Sequence, residues 1–185
     1  MFDLHVHTTA SDGTRTPEQV VAEAAVLGLS GLAVTDHDTV EGVAPALAAG
    51  KAWGVEVVPG VEINTEDRGI DIHILGYFID VNSEILLERL AFLRRARHAR
   101  MARMVELLRR LGVRVSLEDV LAVAGNGVPA RPHLARALVA GGWVASEEEA
   151  FARYLERGRP AHVPRAKYAP AEAVALIREA GGAPV

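Results

Sequence analysis

Four short apolar segments, FDLHVH, GLAVTD, VEVVPGVEI and IDIHILGYF, punctuate the first eighty residues, and helical signals separate the first three. In TPEQVVAEAAVLG, Thr16 suits an N-cap, Pro17 the first helical position and Gly28 a stop. TVEGVAPALAAGKAWG reads as a second helix, weakened by Pro45 and Gly50. The third and fourth segments are joined by the polar stretch NTEDRG, which predicts a turn. Short strands alternating with helices predict an α/β fold of βα units around a largely parallel sheet.

From about Ser83 the period changes. EILLERLAFLRRARHARMARMVELLRRLG has no internal Gly or Pro, and Leu90, Leu93, Met101, Met104, Leu108 and Leu111 form one apolar face at helical spacing. SLEDVLAVAG, RPHLARALVAGG and SEEEAFARYLERG follow as three shorter helices, with Ser116/Asp119 and Ser146/Glu149 at capping-box spacing. APAEAVALIREAG then resumes the βα rhythm, and GAPV starts what should be another buried parallel strand. The predicted organisation is an α/β part over 1–82, an all-helical insertion serving as a cap over 83–160, and an incomplete return over 161–185. The chain is expected to be a fragment of a longer one.

Composition narrows the chemistry. With 185 residues, half of them hydrophobic, the chain can bury one good-sized core. It has no cysteine, so any metal must be held by His, Asp and Glu, a donor set suited to Mn, Zn, Fe or Mg. No run of roughly 18 apolar residues occurs, and the opening MFDLHVH has no basic leader pattern, so the expected location is the cytoplasm and no membrane partner is expected. The net charge of −4 gives no general preference for nucleic acid, yet nine arginines and one acid, Glu106, lie between Arg89 and Arg114. That stripe reads as the solvated face of an amphipathic helix, or as a field steering an anionic substrate. Phe92 is its one aromatic neighbour, which argues against a single-strand stacking platform and a stable nucleic-acid partner.

Candidate ligands recur where strands end. His5 and His7, at i and i+2 on an extended strand, point to one face and could chelate a cation, or could simply decorate a polar face. Asp12 precedes Gly13 in TASDG and is either a turn residue or a ligand. Asp36 and His37 close the second segment in AVTDHDT, and Asp36 could orient a neighbouring ligand. Glu62 sits in the apolar run VVPGVEI, where an unpaired carboxylate would be costly and a cation would remove the cost. His73 alternates with Ile72 and Ile74 and reads as a core histidine or a ligand. In a parallel α/β sheet such groups meet at the carboxyl ends of the strands.

DLHVHTTASDG, AVTDHDT, PGVEI and DIHILGYF resemble successive metal motifs of the PHP (polymerase and histidinol phosphatase) superfamily. RPHLARALV and YLERGRPAHVP are similar to its nucleotide phosphoesterase branch with a helical insertion. Members of that branch act on 3′,5′-bisphosphorylated nucleotides, nucleoside monophosphates or short RNA. The resemblance implies a distorted (β/α)7 TIM-like barrel holding two or three divalent ions, with manganese favoured. It implies that His5 and His7 hold one ion, that Glu62 bridges to a second with His73, and that Asp12 and His37 hold a third. It also implies a later LAHP-like motif and a Ser-Asp-x-His motif, neither of which occurs in this sequence.

Arg131 and His133, in ARPHLA, begin a predicted helix whose N–H groups and dipole attract anions. Arg131 adds a planar fork suited to phosphate, or is an incidental charge at a helix start. His133 could bind phosphate or protonate a leaving oxygen, and Lys167 in VPRAKYAP is a further phosphate candidate. The expected activity is metal-dependent hydrolysis of a phosphate ester on a nucleotide or short oligonucleotide. Its rivals are a non-catalytic PHP module and an amidohydrolase-like metal hydrolase.

Overall fold

The fold was derived from a computed structural model, which describes residues 1–125, 127–164 and 168–185. The chain divides into two compact units, 1–94 with 167–185, and 95–166.

In the first unit, strands β1 (Phe2–Val6), β2 (Gly31–Val34), β3 (Glu56–Asp67), β4 (Ile70–Tyr77) and β5 (Ala183–Pro184) form a five-stranded sheet in that order. Helices α1 (Pro17–Val26) and α2 (Val43–Trp53) make the two crossovers between the parallel strands β1, β2 and β3. Thr16 caps α1 as expected, and Gln19 completes a reciprocal box by accepting from Thr16 N at 2.9 Å. Gly28 follows with φ +70°, the left-handed stop that glycine adopts without a Cβ penalty. Val21, Leu32, Val34, Val43 and Val57 pack between sheet and helices.

The sheet, expected to be largely parallel, is mixed. β3 does not stop at Ile63 but runs on through Asn64–Asp67 and folds into an antiparallel hairpin with β4. Its two-residue turn is Arg68–Gly69, with φ values of +48° and +83°, the left-handed pair that matches strand twist. Polar NTED reads as a loop, but Asn64 and Thr65 are buried and paired across to His73 and Ile72. β5 likewise pairs antiparallel with β4 at the sheet edge, with Ala183 exposed and Pro184 half-buried rather than in a core. α7, the helix before it (Pro170–Glu179), packs Ala173, Leu176 and Ile177 with Val61, Ile63, Leu86 and Leu90.

Helix α3 (Glu84–Arg110) begins in the first unit and continues in the second. Its predicted face is buried at Leu90, Leu93, Met101, Met104 and Leu108, but Leu111 is half-exposed because the helix has ended and Gly112 turns at φ +83°. The second unit adds α4 (Leu117–Ala124), α5 (Arg131–Ala140) and α6 (Glu147–Ala150), which passes into a π-helical turn, Phe151–Leu155. Ser116 and Asp119 form the expected reciprocal box. At α6 Ser146 caps Glu149 N, but the Glu149 carboxylate reaches back one residue further, to Ala145 N. Leu134 and Leu138 are fully buried in the core of this unit with Met104, Leu108 and Val120. Leu134→Ala should therefore cost about 2–5 kcal/mol, measured as a lower urea midpoint at unchanged slope. A shift below about 0.5 kcal/mol would show that α5 is not central to this core.

Several arginines of the basic stripe are engaged. Arg94 pairs with Glu41, Arg103 and Arg110 both reach Glu106, and Arg100 Nε donates to Val163 O at 2.6 Å. No helix among the described residues is long and apolar enough to cross a membrane.

Candidate metal centre

The polar residues predicted from the first three strands and the hairpin meet around one carboxylate. His5 lies on β1 and His7 one residue beyond its end, and their rings stand 5.1 Å apart on the same side. His37 follows β2 and forms an isolated parallel bridge with Glu62. Glu62 lies three residues past Pro59, the last β3 residue paired to β2, so it sits at the level where the parallel strands end. Asn64 shares its face by the strand's two-residue period, and His73 lies opposite Asn64 across the hairpin. His73 thus reaches the cluster from the antiparallel strand of the hairpin.

Glu62 is 1% exposed, and four imidazoles converge on it. His7 Nε2 is 2.8 Å from Glu62 Oε2, His5 Nε2 3.1 Å and His37 Nδ1 3.2 Å, while His73 Nδ1 approaches Oε1. On the other side of His7, its Nδ1 is 3.0 Å from Asp12 Oδ1, and His37 Nε2 is 3.8 Å from Asp12 Oδ2. Among the described residues, two sets of three ligand atoms fall close enough to share an ion: His5, His7 and Glu62, and His7, Asp12 and His37. His7 belongs to both. The structure brings His5, His7, Asp12, His37, Glu62 and His73 into one constellation, while Arg131 and His133 belong to the helical unit. Lys167 lies outside the described residues.

The electrostatics explain why such a cluster attracts cations. Burial alone would raise the Glu62 carboxyl, but the approach of His7 and His73, the charge of His37 and the His5 contact hold it far below the usual carboxylate range. Burial lowers the His7 imidazole, yet Asp12 and Glu62 more than offset this and push it up to about 10. Three imidazoles crowd Glu62 Oε2, one more than its two lone pairs accept. His7 Nε2 and Glu62 Oε1 are in fact buried without hydrogen-bond geometry, although each has a potential ligand atom against it. Nitrogen and oxygen donors gathered this closely suit a divalent cation. A bound cation would take the place of the proton that His7 otherwise holds.

Three supporting residues escaped the sequence reading. Asn64 Nδ2 is 3.0 Å from His37 Nδ1, and the i, i+2 spacing from Glu62 was the available signal. Tyr77 donates its hydroxyl to Leu4 O at 2.8 Å, tying β4 to the strand that bears His5. Burial and the Glu62 charge raise the Tyr77 phenol. Thr8 is buried and bonded to Asp36, which nothing in its neutral side chain announces.

In the helical unit, Arg131 is the first residue of α5, and its guanidinium carbon lies 5.7 Å from the Phe151 ring centroid. His133 is 2% exposed, and its Nδ1 accepts from Ala130 N at 3.1 Å. That bond fixes the neutral ring with its proton on Nε2. His133 therefore caps α5 from the third helical position, a role that the sequence reading did not assign to it.

Comparison with known proteins agrees with this geometry. Residues 3–110 match the PHP domain family. The chain is 37% identical over 184 residues to the 5′-3′ exoribonuclease Rnm of Escherichia coli (strain K12), covering 98% of this chain and 63% of that protein. It is 34% identical over 182 residues to the 3′,5′-nucleoside bisphosphate phosphatase of Chromobacterium violaceum, covering 98% of this chain and 64% of that one. A solved structure from Bifidobacterium adolescentis, described as a metal-dependent phosphoesterase, superimposes with a TM-score of 0.91 at 35% identity, over 99% of this chain and 65% of its own. The chain thus spans a little under two thirds of the length of each of these proteins. Family match, fold and ligand cluster together place the chain in the PHP domain family.

Proposed function

We propose that this chain is the metal-binding part of a cytoplasmic phosphoesterase that hydrolyses phosphate monoesters of nucleotides, or processes the 5′ ends of short RNA. The observation that carries the reading is the convergence of four histidines and Asp12 around the buried Glu62. His5, His7 and Glu62 would hold one divalent ion, His73 would join Glu62 at a second, and Asp12 with His37 would complete a further position. Manganese is the ion that the reading favours, with zinc, iron and magnesium compatible with the same donors. The complete fold is proposed to be a distorted (β/α)7 barrel, with 83–160 inserted as a helical cap and 161–185 returning to the barrel.

Divalent ions, when bound, supply Lewis acidity toward phosphate oxygens and an acidified water. The chain's own residues do the rest. Glu62 and Asp12 provide the negative charge that balances the cations, and the neutral imidazoles fix their spacing. Arg131 is proposed to clamp a substrate phosphate with its planar fork. His133 is proposed to bind a phosphate or protonate a leaving oxygen, and Lys167 is proposed as a further phosphate contact.

The test is phosphate release by the full-length protein, stripped with chelator and reloaded with Mn²⁺. A 3′,5′-bisphosphonucleotide, a nucleoside monophosphate and a 5′-phosphorylated short RNA are compared with amide substrates. Metal-dependent phosphate release is expected. Amide cleavage without it, or no turnover at all in metal-loaded protein, would remove the phosphoesterase reading.

A further inference from the structure

We infer that Asp36 is a positioning residue that latches the loop carrying Asp12, and so sets the second group of cation ligands, His7, Asp12 and His37; the inference rests on the metal centre proposed above. Asp36 is 1% exposed and touches none of the candidate ligand atoms through its carboxylate. Its oxygens are spent on the loop after β1. Oδ1 accepts from Thr8 N at 2.7 Å and from Ser11 Oγ at 2.6 Å, and Oδ2 accepts from Thr8 Oγ1 at 2.7 Å. Thr8 directly follows His7, and Ser11 directly precedes Asp12. The latch therefore grips both ends of the short segment between two ligands.

The main chain of the same residue reaches the third ligand-bearing segment. Asp36 O accepts from Glu62 N at 3.1 Å, and Asp38 N donates to Glu62 O at 3.0 Å. Asp36 thus joins the β1 loop, the end of β2 and β3 at one point. Its surroundings leave no slack: a Cβ at Gly42 would come within 2.5 Å of Asp36 Oδ2 and 2.8 Å of Thr8 Oγ1. Within the loop, Thr8 O accepts from Ser11 N and Gly13 N, and a Cβ at Gly13 would lie 2.5 Å from His7 O.

The two ligand groups depend on this latch unequally. Glu62 is paired with Leu75 in the β3–β4 ladder, and His5 is flanked on β1 by the paired residues Asp3 and Val6. Asp12 sits in a loop outside the strand ladders, and the bonds at Thr8 and Ser11 fix the backbone that leads into it. A buried carboxylate satisfied by three donors is costly to place and stiff once placed. Such rigidity is what ligand positioning requires, and outer partners of metal ligands typically change affinity by about ten- to a hundred-fold.

The test titrates Mn²⁺ into chelator-stripped chain and follows bound and free ion by electron paramagnetic resonance. Asp12→Ala identifies the class of Mn²⁺ that depends on the second group. Asp36→Ala would strand three donors at once, so Thr8→Val and Ser11→Ala, each removing a single hydroxyl, carry the decision. Both should weaken the Asp12-dependent class by about ten- to a hundred-fold and leave the other class as in wild type. Thr8→Ser, which keeps the hydroxyl, should restore wild-type binding. Unchanged Mn²⁺ affinity with only a lower urea midpoint would overturn the latch and leave Asp36 as scaffold. Parallel loss of both classes in folded variants would overturn it as well. Absence of any bound Mn²⁺ in wild type would instead overturn the metal centre on which the inference stands.

Discussion

Glu62→Gln should strip the chain of bound divalent metal and, in the full-length protein, abolish phosphate release with it. The substitution keeps the size of the side chain and changes two things. It removes the negative charge that four imidazoles share, and it presents an N–H₂ donor to nitrogens that would otherwise face a ligand oxygen. Loss of a direct ligand exceeds the roughly hundredfold upper range for outer partners, so residual Mn²⁺ should fall below detection at micromolar ion. The metal-free variant also leaves His7 with Asp12 as its remaining carboxylate partner among these contacts, which weakens the hold on its extra proton. Elemental analysis after gel filtration, paired with circular dichroism, separates loss of metal from loss of fold. Full metal content in folded Glu62→Gln would remove Glu62 from the centre.

The placement of the histidines shows what the sequence carries and where it misleads. HVH at the end of a strand gives its geometry away, since the two-residue period leaves both rings on one face whatever surrounds them. Glu62 was legible for a thermodynamic reason, an acid in an apolar run needing a partner. His73 was legible as a residue but not as a position. A turn was expected between the third and fourth segments, but not that its polar residues would be paired, because a polar stretch between apolar segments looks the same whether it is a loop or the buried end of a hairpin. The deciding feature is local: Arg68–Gly69 can take two successive positive φ values, which pairs Asn64–Asp67 instead of releasing them. The helices were read well where caps are short-range, as at Thr16 and Ser116, and less well where the end depends on context, as at Leu111. The Asp36 latch joins residues more than twenty positions apart, and no periodicity encodes such a contact.

Arg131 supplies the second large effect, and it separates substrate recognition from metal binding. In the full-length protein, Arg131→Ala should leave bound metal unchanged and lower kcat/KM for phosphorylated nucleotides by about ten- to a hundred-fold. That range corresponds to the roughly 1.5–3 kcal/mol lost when a hydrogen bond to a charged group is removed. Structural cost should be small by comparison, because the contact visible for its side chain, over the Phe151 ring at 5.7 Å, contributes on the order of 0.5–1 kcal/mol at a partly exposed site. Arg131→Lys should recover only part of the loss, since an ammonium keeps the charge but not the bidentate fork. His133 bears on the interpretation. Its Nδ1 holds the first turn of α5 through Ala130 N, so His133→Ala should cost both stability and turnover and cannot by itself reveal a chemical role. Arg131 has no such double duty at the helix start. Steady-state kinetics of wild type, Arg131→Ala and Arg131→Lys, with metal content measured in each, decide the matter. Unchanged kcat/KM in the alanine variant would return Arg131 to a charge that stacks on Phe151 and begins a helix.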